Sequence, residues 1–362
     1  MTGRAQRIFK KVAEEVDVIV LTNSEEPMLD MAFSYVVGNS SGLFEGCFAF
    51  AWPDGKVDLL TSPLEETSAR GSAARVITFS GRVDADEKSR ELLNNVERIG
   101  FNAHGLTYSN FAKLKRMAPG AKFIDVSEAV EKARMIKDAE EIARLREACR
   151  IASNVAEDIP SLLRVGMSEY EMAAEIGYRM QKMGASQPSF ATNASFGPAS
   201  AEPHHSPDDR KLQFGDTCLF DFGAMYKKYC SDVTRTFFLG KTEEWQRRQY
   251  ELVLEAQLAG IDAIRPGVSG KDVDAAARSI IDASEFKGRF NHSLGHGLGL
   301  SVHDGGRLAP GFDLILEEGM VLTVEPGIYV PGQGGVRIED DILVTRTGCE
   351  LLSTAPKELT IL

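Results

Sequence analysis

Short apolar runs alternate with amphipathic stretches through the first third of the chain. Residues 16–22 form an apolar run typical of a buried strand, and residues 41–63 predict a strand hairpin that turns at Pro53-Asp54-Gly55. Further elements are predicted after this hairpin, with strands at 74–79, 98–102 and 122–127 and helices at 86–96 and 107–117. Because strands alternate with helices, we expect an α/β domain at residues 1–133.

A long amphipathic helix marks the start of a second region. From Asp138 to about Asp158, apolar residues recur every three or four positions, which is the helical period. The remaining pattern predicts three helices, at 168–184, 242–265 and 270–284, and two strand hairpins, at 216–239 and 319–346. We therefore expect a second domain at residues 134–362 and an overall α/β (α+β) class.

Length and composition agree with two globular domains. The chain has 362 residues, of which 43% are hydrophobic and 26% are charged, and a domain typically takes about 150 residues. Its formal net charge of −12 argues against a nucleic-acid partner, because phosphate backbones repel acidic proteins.

The apolar stretches predict the cellular location of the protein, and the cysteine spacing predicts the redox state of its thiols. No apolar stretch approaches the ~18 residues that a membrane helix needs, and Asp17 interrupts the first apolar run, so we expect no membrane span, no signal core and a cytoplasmic location. The five cysteines form no CxxC pair, which favours reduced, buried thiols.

The first hairpin of the second region carries carboxylates in unusual places. Asp221 lies among large apolar residues, where a buried charge is costly unless a positive group pairs with it. Asp232 follows eleven residues later, so a regular hairpin could place the two acids opposite each other. Two carboxylates that close repel, and a bridging cation would relieve the repulsion. The alternative is a solvated pair of hairpin acids, which the apolar flanks disfavour.

The second hairpin repeats the pattern. Glu325 ends the apolar run 320–324, and Glu339 lies in a later strand beside Arg337. The two-residue period of a strand predicts Arg337, Glu339 and Asp341 on one face and Asp340 on the other. For Glu339 alone, a strand-edge salt bridge with Arg337 is an equally good interpretation.

A glycine-rich segment between the hairpins supplies histidines. Gly295, Gly297 and Gly299 surround His296 and allow close approach of the backbone, and His303 follows seven residues later. The segment lacks the Lys-Ser/Thr of a P-loop and the HExxH of a zincin. A set of two Asp, two Glu and one His suits two divalent ions about 3.5–4 Å apart. Its oxygen-rich character favours Mn²⁺, Co²⁺ or Fe²⁺ over a thiolate zinc site.

Four motifs together indicate a family. They are GPASAEPHH at 197–205, GDTCLFDFGAMYKKYCSDVTRTF, HSLGHGLGLSVHD and VEPGIYVPGQGGVRIEDD, in that order. The chain thereby resembles the pita-bread metallopeptidases, which include Xaa-Pro dipeptidase (prolidase), Xaa-Pro aminopeptidase (aminopeptidase P) and methionine aminopeptidase. The resemblance implies a C-terminal pita-bread fold. It also implies an N-terminal creatinase-type accessory domain, which methionine aminopeptidases generally lack.

The resemblance also implies roles for individual residues. The five metal ligands that it implies are Asp221, Asp232, His296, Glu325 and Glu339, with Asp232 and Glu339 bridging both ions. The catalytic helpers that it implies are His204 and His303, which hold the substrate and the tetrahedral intermediate, and Arg337, beside the last ligand. Our own hypothesis adds that Glu325 also shuttles a proton to the leaving amine. Ala199 stands where many members have Asn, and His205 is not uniform in the family, which bears on substrate fit.

The implied function is that of a dinuclear-metal hydrolase that cleaves the peptide bond before proline, as a Xaa-Pro dipeptidase, through a metal-bridging hydroxide. The expected cofactors are two divalent ions per subunit, Mn²⁺ or Co²⁺ first, with Fe²⁺ or Zn²⁺ as alternatives. The expected partners are a proline-containing di- or oligopeptide and a second copy of the chain. Three alternatives stay open: a Xaa-Pro aminopeptidase acting on longer peptides, a pita-bread enzyme for another small substrate, and a non-catalytic binding protein of the same fold.

Overall fold

The computed structural model describes residues 3–362. The chain folds as two compact units that divide between Arg134 and Met135. Each unit has its own sheets and its own buried apolar core. No helix within the described residues is both long and apolar enough to cross a membrane.

The N-terminal unit is a mixed α/β layer. Its strands are β1 (Val18–Thr22), β2 (Phe48–Ala51), β3 (Val57–Thr61), β4 (Arg75–Thr78), β5 (Arg98–Phe101) and β6 (Lys122–Asp125). Its helices are α1 (Gly3–Phe9), α2 (Met31–Val37), α3 (Glu66–Ala69), α4 (Arg82–Leu92), α5 (Tyr108–Met117) and α6 (Ser127–Met135). The strands form one six-stranded sheet in the order β4-β3-β2-β1-β5-β6, in which β1 runs antiparallel to β2 and parallel to β5.

The predicted strands of this unit are confirmed, with narrower bounds for the hairpin. The hairpin predicted at 41–63 begins only at Phe48, and its turn is closed by the Trp52 N–H donating to the Lys56 carbonyl at 2.9 Å. The helix predicted at 86–96 begins four residues earlier, where the Ser80 N–H donates to Asp84 Oδ2 at 2.7 Å. It cannot run on to residue 96 because Asn95 takes a left-handed φ of 64°.

The C-terminal unit carries four helices and several small sheets. Its helices are α7 (Ala139–Leu162), α8 (Glu169–Lys182), α9 (Glu244–Ala263) and α10 (Gly270–Asp282). Its first strands are β7 (Gln187–Pro188), β8 (Asn193–Phe196), β9 (Thr217–Phe222), β10 (Ala224–Tyr226), β11 (Tyr229–Cys230) and β12 (Val233–Phe238). Its later strands are β13 (Gly295–His296), β14 (Arg307–Leu308), β15 (Val321–Val324), β16 (Gly327–Val330), β17 (Gly334–Arg337), β18 (Asp340–Val344) and β19 (Cys349–Leu351).

Local signals account for the helix starts of this unit. Asp138 caps α7 by accepting from the Glu141 N–H, and Ser168 caps α8 by accepting from the Glu171 N–H. In both helices the glutamate returns a hydrogen bond to the capping residue, which completes a capping box. The predicted helices are confirmed, and α7 continues past the predicted end at 158 to Leu162.

Two apolar cores lie in this unit. One joins α7 and α8 to the antiparallel sheet β8-β9-β12, and it includes Ile151, Met172 and Phe220. The other joins α9 and α10 to the strands around β15 and β18, and it includes Val253 and Ile342. Strands from both cores carry the candidate ligands. The packing of both cores therefore determines the relative positions of these ligands.

The first predicted hairpin is interrupted. Asp221 on β9 lies opposite Thr234, so the prediction that Asp221 and Asp232 face each other across one ladder is wrong. The ladder breaks because the backbone at Gly223 passes so close to Ser231 that a Cβ on Gly223 would lie 1.8 Å from the Ser231 carbonyl oxygen. The short pair β10–β11 is inserted there, and Asp232 follows it directly before β12.

The second predicted hairpin divides into two nested pairs. β15 pairs with β18, and β16 pairs with β17. Glu339 lies in the break between β17 and β18, so Arg337, Glu339 and Asp341 do not form one regular strand. Their side chains still share one side, since Arg337 and Glu339 both contact Thr234 and Asp341 contacts the Asp232 N–H. The prediction that Asp340 points elsewhere is confirmed, since its carboxylate is buried in ion pairs with Arg235 and Lys357.

Arg235 on β12 ties this region to the last residues of the chain. Its buried guanidinium donates to the Glu339 carbonyl at 2.6 Å and to the Asp340 carboxylate at 2.7 Å. The same guanidinium donates to the carbonyls of Ala355, at 2.7 Å, and Pro356, at 2.9 Å. The backbone at Glu339 and the segment 355–356 therefore share one buried cation.

Candidate metal centre

Five side chains from separate segments meet in the C-terminal unit. Asp221 lies on β9, Asp232 directly precedes β12, His296 lies on β13, Glu325 directly follows β15, and Glu339 lies between β17 and β18. We call these five residues the acid–histidine cluster. Every ligand that the family resemblance implies is thus placed at one site, although the residues come from positions up to 118 apart in sequence (339 minus 221).

Distances within the cluster suit shared coordination. His296 Nε2 lies 3.6 Å from Asp232 Oδ2 and 3.5 Å from Glu325 Oε1. One ligand atom each of Asp232, His296 and Glu339 lies within 4.8 Å of the other two. Asp221 is close enough for its charge to raise the pKa of Asp232, Glu325 and Glu339.

Asp232, Glu325 and Glu339 are held in an environment that disfavours their charge. Burial and the charge of Glu339 hold the pKa of Asp232 well above its usual range. Burial and the charge of Glu325 do the same to the pKa of Glu339. Burial raises the pKa of Glu325 to about 8, with Arg337 opposing this shift and Asp221 adding to it.

The cluster passes a test for fit to divalent ions. Oδ1 of Asp221 and Oδ1 of Asp232 are buried and accept no hydrogen bond within the described residues. A buried carboxylate oxygen without a partner is costly, and a hard cation is the partner that such oxygens suit. Charge balance points the same way, because Arg337 is the cation that contacts this set of four acids by hydrogen bond.

His296 is prepared to act as a ligand. Its Nδ1 lies 3.2 Å from the Gly297 carbonyl oxygen, which assigns the proton to Nδ1 and leaves the lone pair of Nε2 facing Asp232 and Glu325. Burial, together with the charge of His303, lowers the pKa of His296 to about 4, so the ring is neutral near pH 7. Neutral imidazole is the form that binds metals.

Close backbone packing explains the glycines beside His296. A Cβ on Gly295 would lie 1.9 Å from the Thr323 carbonyl oxygen, and one on Gly297 would lie 1.8 Å from the Gly305 carbonyl oxygen. β13 can therefore pack against β15 only if position 295 lacks a side chain, and the segment 304–305 can approach only if position 297 does. The glycines place the His296 ring, as the sequence pattern predicted.

Arg337 holds the cluster in place through hydrogen bonds. Its guanidinium donates to Asp221 Oδ2 at 2.6 Å, to the Tyr329 hydroxyl at 2.7 Å and to Thr234 Oγ1 at 3.0 Å. The Thr234 hydroxyl in turn donates to Glu339 Oε2 at 2.6 Å. The strand-edge salt bridge considered for Arg337 and Glu339 is therefore replaced by an Arg337–Asp221 pair.

His204 and His303 lie at the exposed side of the site. The His303 ring packs against His296 with ring centroids 4.3 Å apart. Burial, followed by the charges of Arg307 and His204, lowers the pKa of His303. Both imidazoles are exposed to solvent, so a bound substrate could reach them.

Several residues at the site were missed by sequence reasoning. The Tyr329 hydroxyl contacts both Arg337 and His292 Nε2, the latter at 3.0 Å, and His292 Nδ1 lies 4.0 Å from Glu325 Oε2. Asp341 accepts a hydrogen bond from the Asp232 N–H at 2.9 Å and one from the Cys149 thiol at 3.1 Å. In the sequence, these residues are polar positions within apolar segments. That pattern predicts that they are buried, but it does not predict which residues they contact.

Comparison with known proteins decides the family. The model of metallopeptidase family M24 matches residues 143–346, which include the whole acid–histidine cluster. The model of the creatinase/prolidase N-terminal domain matches residues 10–136. This chain belongs to metallopeptidase family M24. The resemblance to pita-bread metallopeptidases and the predicted fold, with a creatinase-type N-terminal domain, are confirmed.

Relatives of this M24 chain include proline-specific peptidases. A Xaa-Pro dipeptidase of Pyrococcus furiosus is 39% identical over 269 residues, covering 74% of this chain and 77% of that protein. The solved structure of a Xaa-Pro dipeptidase from Bacillus anthracis has a TM-score of 0.91 at 36% identity and covers 99% of both chains. An X-Pro aminopeptidase from Thermotoga maritima also has a TM-score of 0.91, at 31% identity, and covers 98% of this chain and 100% of its own.

Proposed function

We propose that this M24 metallopeptidase is a Xaa-Pro dipeptidase that hydrolyses the bond before proline with two divalent ions. The observation that carries the proposal is the acid–histidine cluster itself, in which four buried or partly buried carboxylates surround a neutral His296. A binding protein of the same fold would have no use for so costly an arrangement. The dipeptidase relatives, similar over most of both chains, support the choice of substrate.

The cluster would hold the ions, and other residues would handle the substrate. The residues that would hold the ions are Asp221, Asp232, His296, Glu325 and Glu339. When bound, divalent ions supply Lewis acidity and lower the pKa of water toward neutrality. Mn²⁺ and Co²⁺ are the ions we propose, because four of the five ligand residues offer carboxylate oxygens.

Proton transfer is assigned to Glu325. Its Oε1 lies 3.5 Å from His296 Nε2, so the carboxylate borders the place where the attacking water would lie. We propose that it takes a proton from the attacking water and delivers it to the proline nitrogen as the carbon–nitrogen bond breaks. That nitrogen carries no N–H in the substrate, so it must be protonated to leave as an amine.

Substrate binding is assigned to the two exposed imidazoles. His204 and His303 can donate hydrogen bonds to the substrate carbonyl oxygen as it gains negative charge, a contribution worth about 3 kcal/mol for one donor of this kind. Arg337 is fully engaged by Asp221, Tyr329 and Thr234, so we propose that it acts by holding Asp221 in place.

A second candidate function is Xaa-Pro aminopeptidase. The likeness to the Thermotoga maritima X-Pro aminopeptidase, over nearly the full length of both chains, favours it. The two activities differ in whether residues beyond proline are accepted. We also propose, on the family resemblance, that the enzyme acts in the cytoplasm and forms a homodimer. Light scattering of the purified protein would test the homodimer.

The decisive experiment compares three peptides before and after metal is restored to chelated protein. We expect Mn²⁺ or Co²⁺ to restore release of proline from Leu-Pro, with little cleavage of Leu-Pro-Gly and none of Leu-Gly. Preferential cleavage of Leu-Pro-Gly would establish the aminopeptidase instead. If metal-loaded protein cleaves neither proline peptide, both functions are wrong. Full activity in a metal-quantified Asp232→Ala variant would overturn the ligand assignment.

A further inference from the structure

The loop that carries His204 is fastened at both of its ends. It runs from Gly197 to Asp208 between β8 and the approach to β9. His204 is exposed at a turn in this loop, and its imidazole makes no hydrogen bond or ion pair within the described residues. The position of His204 therefore depends on contacts made by its neighbours.

One buried carboxylate joins the two ends of the loop. Glu169, the first residue of α8, has a side chain that is 0% exposed. Its Oε1 accepts the Phe196 N–H at 2.8 Å, and its Oε2 accepts the Asp208 N–H at 3.0 Å. Phe196 and Asp208 lie immediately before the loop and at its far end, so this carboxylate closes the loop. A buried carboxylate so satisfied is a strong constraint, since loss of it would leave two donors without partners.

The residue next to His204 makes the third contact. His205 donates from Nε2 to Glu169 Oε2 at 2.7 Å, and its side chain is only 10% exposed. Its Nδ1 faces the carboxylate of Glu202 at 3.4 Å, but Glu202 is 73% exposed, so solvent weakens that contact. His205 is thus held inward, on the scaffold side of the turn, while His204 remains free to face a substrate.

The same turn is tied to the metal centre through the residue before His204. The Pro203 carbonyl accepts from Asn193 Nδ2 at 3.2 Å and from Arg337 Nη1 at 3.5 Å. Both neighbours of His204 are therefore held in place. Pro203 is bonded to the Arg337 guanidinium, and His205 is bonded to Glu169 of α8.

We propose that Glu169 and His205 are positioning residues, which clamp the 197–208 loop to the start of α8 so that His204 is presented to the substrate. The proposal rests on the proposed function, because it assigns the purpose of the clamp to His204. It explains why a histidine stands at position 205, where a residue without a long-reaching donor could not contact Glu169.

Kinetics of matched variants test the clamp. We expect His205→Ala to lower kcat/KM for Leu-Pro by about tenfold, the range seen when supporting hydrogen bonds are removed from a site. His205→Gln, whose amide nitrogen reaches as far as Nε2, should recover most of that loss. Glu202→Ala, on the exposed side of the same imidazole, should change kcat/KM by less than about twofold.

A double variant shows whether His205 acts through His204. In a His204→Ala background, the further change His205→Ala should lower kcat/KM by less than about twofold, because the group that it positions is gone. An equal tenfold loss in both backgrounds would overturn the proposal, as would wild-type activity in His205→Ala.

Hydrogen exchange tests the clamp without any substrate. Peptides that cover residues 197–209 should exchange faster in His205→Ala and in Glu169→Gln than in the unaltered protein, while peptides from the second half of α8 should not change. Unchanged exchange at 197–209 in both variants would overturn the clamp. If the unaltered enzyme cleaves no proline peptide, the proposed function fails, and the exchange result still decides whether Glu169 and His205 hold the loop.

Discussion

Arg337 Nη2 lies 2.6 Å from Asp221 Oδ2, while the other oxygen of that carboxylate, Oδ1, is buried and has no hydrogen-bond donor within the described residues. One carboxylate thus faces a fixed guanidinium on one side and the acid–histidine cluster on the other. The pairing orients Asp221 without neutralising the site, since three more buried carboxylates remain beside it. This excess of negative charge is what a pair of divalent ions would balance.

Replacing Arg337 by lysine should weaken metal binding although the charge is kept. A lysine ammonium cannot contact Asp221, Tyr329 and Thr234 at once, because it lacks the planar fork of a guanidinium. We expect metal affinity to fall about 10- to 100-fold, as is typical when a residue that orients a ligand is lost. Isothermal titration with Mn²⁺ measures the affinity. Arg346→Lys, an exposed arginine on the loop after β18, is the matched control, and equal affinities in the two variants would contradict the expectation.

Asp232→Asn should have opposite effects on stability with and without metal. In the chelated protein we expect unfolding to become harder by about 1–3 kcal/mol, because a buried carboxylate with an unpartnered oxygen is replaced by a neutral amide. With metal in excess the variant should be the less stable protein, because binding only to the native state adds about 2.7 kcal/mol at a hundredfold excess over Kd.

Thermal unfolding with chelator and with Mn²⁺ measures both effects. Asp209→Asn, at an exposed acid of the same unit, should change neither result. A metal-induced increase in Tm as large in Asp232→Asn as in the unaltered protein would argue against Asp232 as a ligand.

Metal uptake should release protons near neutral pH. The pKa of Glu325 is raised from 4.5 to about 8 in the metal-free site, so this carboxyl is largely protonated at pH 7 and must lose its proton to act as a ligand. Titration calorimetry in two buffers of different ionisation enthalpy counts the protons. We expect at least one proton released per loaded subunit at pH 7 and fewer as the pH rises past 8. A count of zero at pH 7 would refute the raised pKa.

The same shift has a consequence for the stability of the metal-free protein. A carboxyl whose pKa is raised in the native state binds more protons there than in the unfolded chain. Its contribution is therefore complete below pH 4.5 and is lost as the pH rises toward 8. Glu325→Gln should flatten that part of the pH profile of stability, measured by chemical unfolding in chelator.

Gly295→Ala should remove metal binding without touching a ligand. The added Cβ would lie 1.9 Å from the Thr323 carbonyl oxygen, so β13 must move away from β15 and take His296 with it. We expect a loss of stability of about 1–3 kcal/mol, as for other overpacked sites, and no measurable Mn²⁺ binding. Gly348→Ala is the control, because nothing lies within 4 Å of its added Cβ. Metal binding retained in Gly295→Ala would contradict the requirement for close packing.

Local patterns sufficed to predict the elements, because their causes lie within a few residues. The start of α7 follows from Asp138 and Glu141, which form a capping box, and its amphipathic period is visible directly. The acids inside apolar strands, such as Asp221, pointed to a charged site in the same way. Candidate ligands could be named from these patterns and from the family motifs.

Pairing between elements could not be predicted. The break at Gly223 shifts Asp221 opposite Thr234, and it depends on a close approach to Ser231 that no local pattern reveals. Arg337 was expected beside Glu339, its neighbour in sequence, but its contact with Asp221 joins residues 116 positions apart. Likewise, Glu169 closes the His204 loop from the preceding helix, through contacts 27 and 39 positions apart in sequence.

The shared contacts of Arg235 bear on the order in which the protein is made. A ribosome that has released the chain only as far as residue 345 has delivered all five residues of the acid–histidine cluster, but not the Ala355 and Pro356 carbonyls that Arg235 needs. Until those residues emerge, the guanidinium that holds the Glu339 backbone is incompletely bonded. The backbone at Glu339 therefore gains its complete support only after residues 355–356 have left the ribosome.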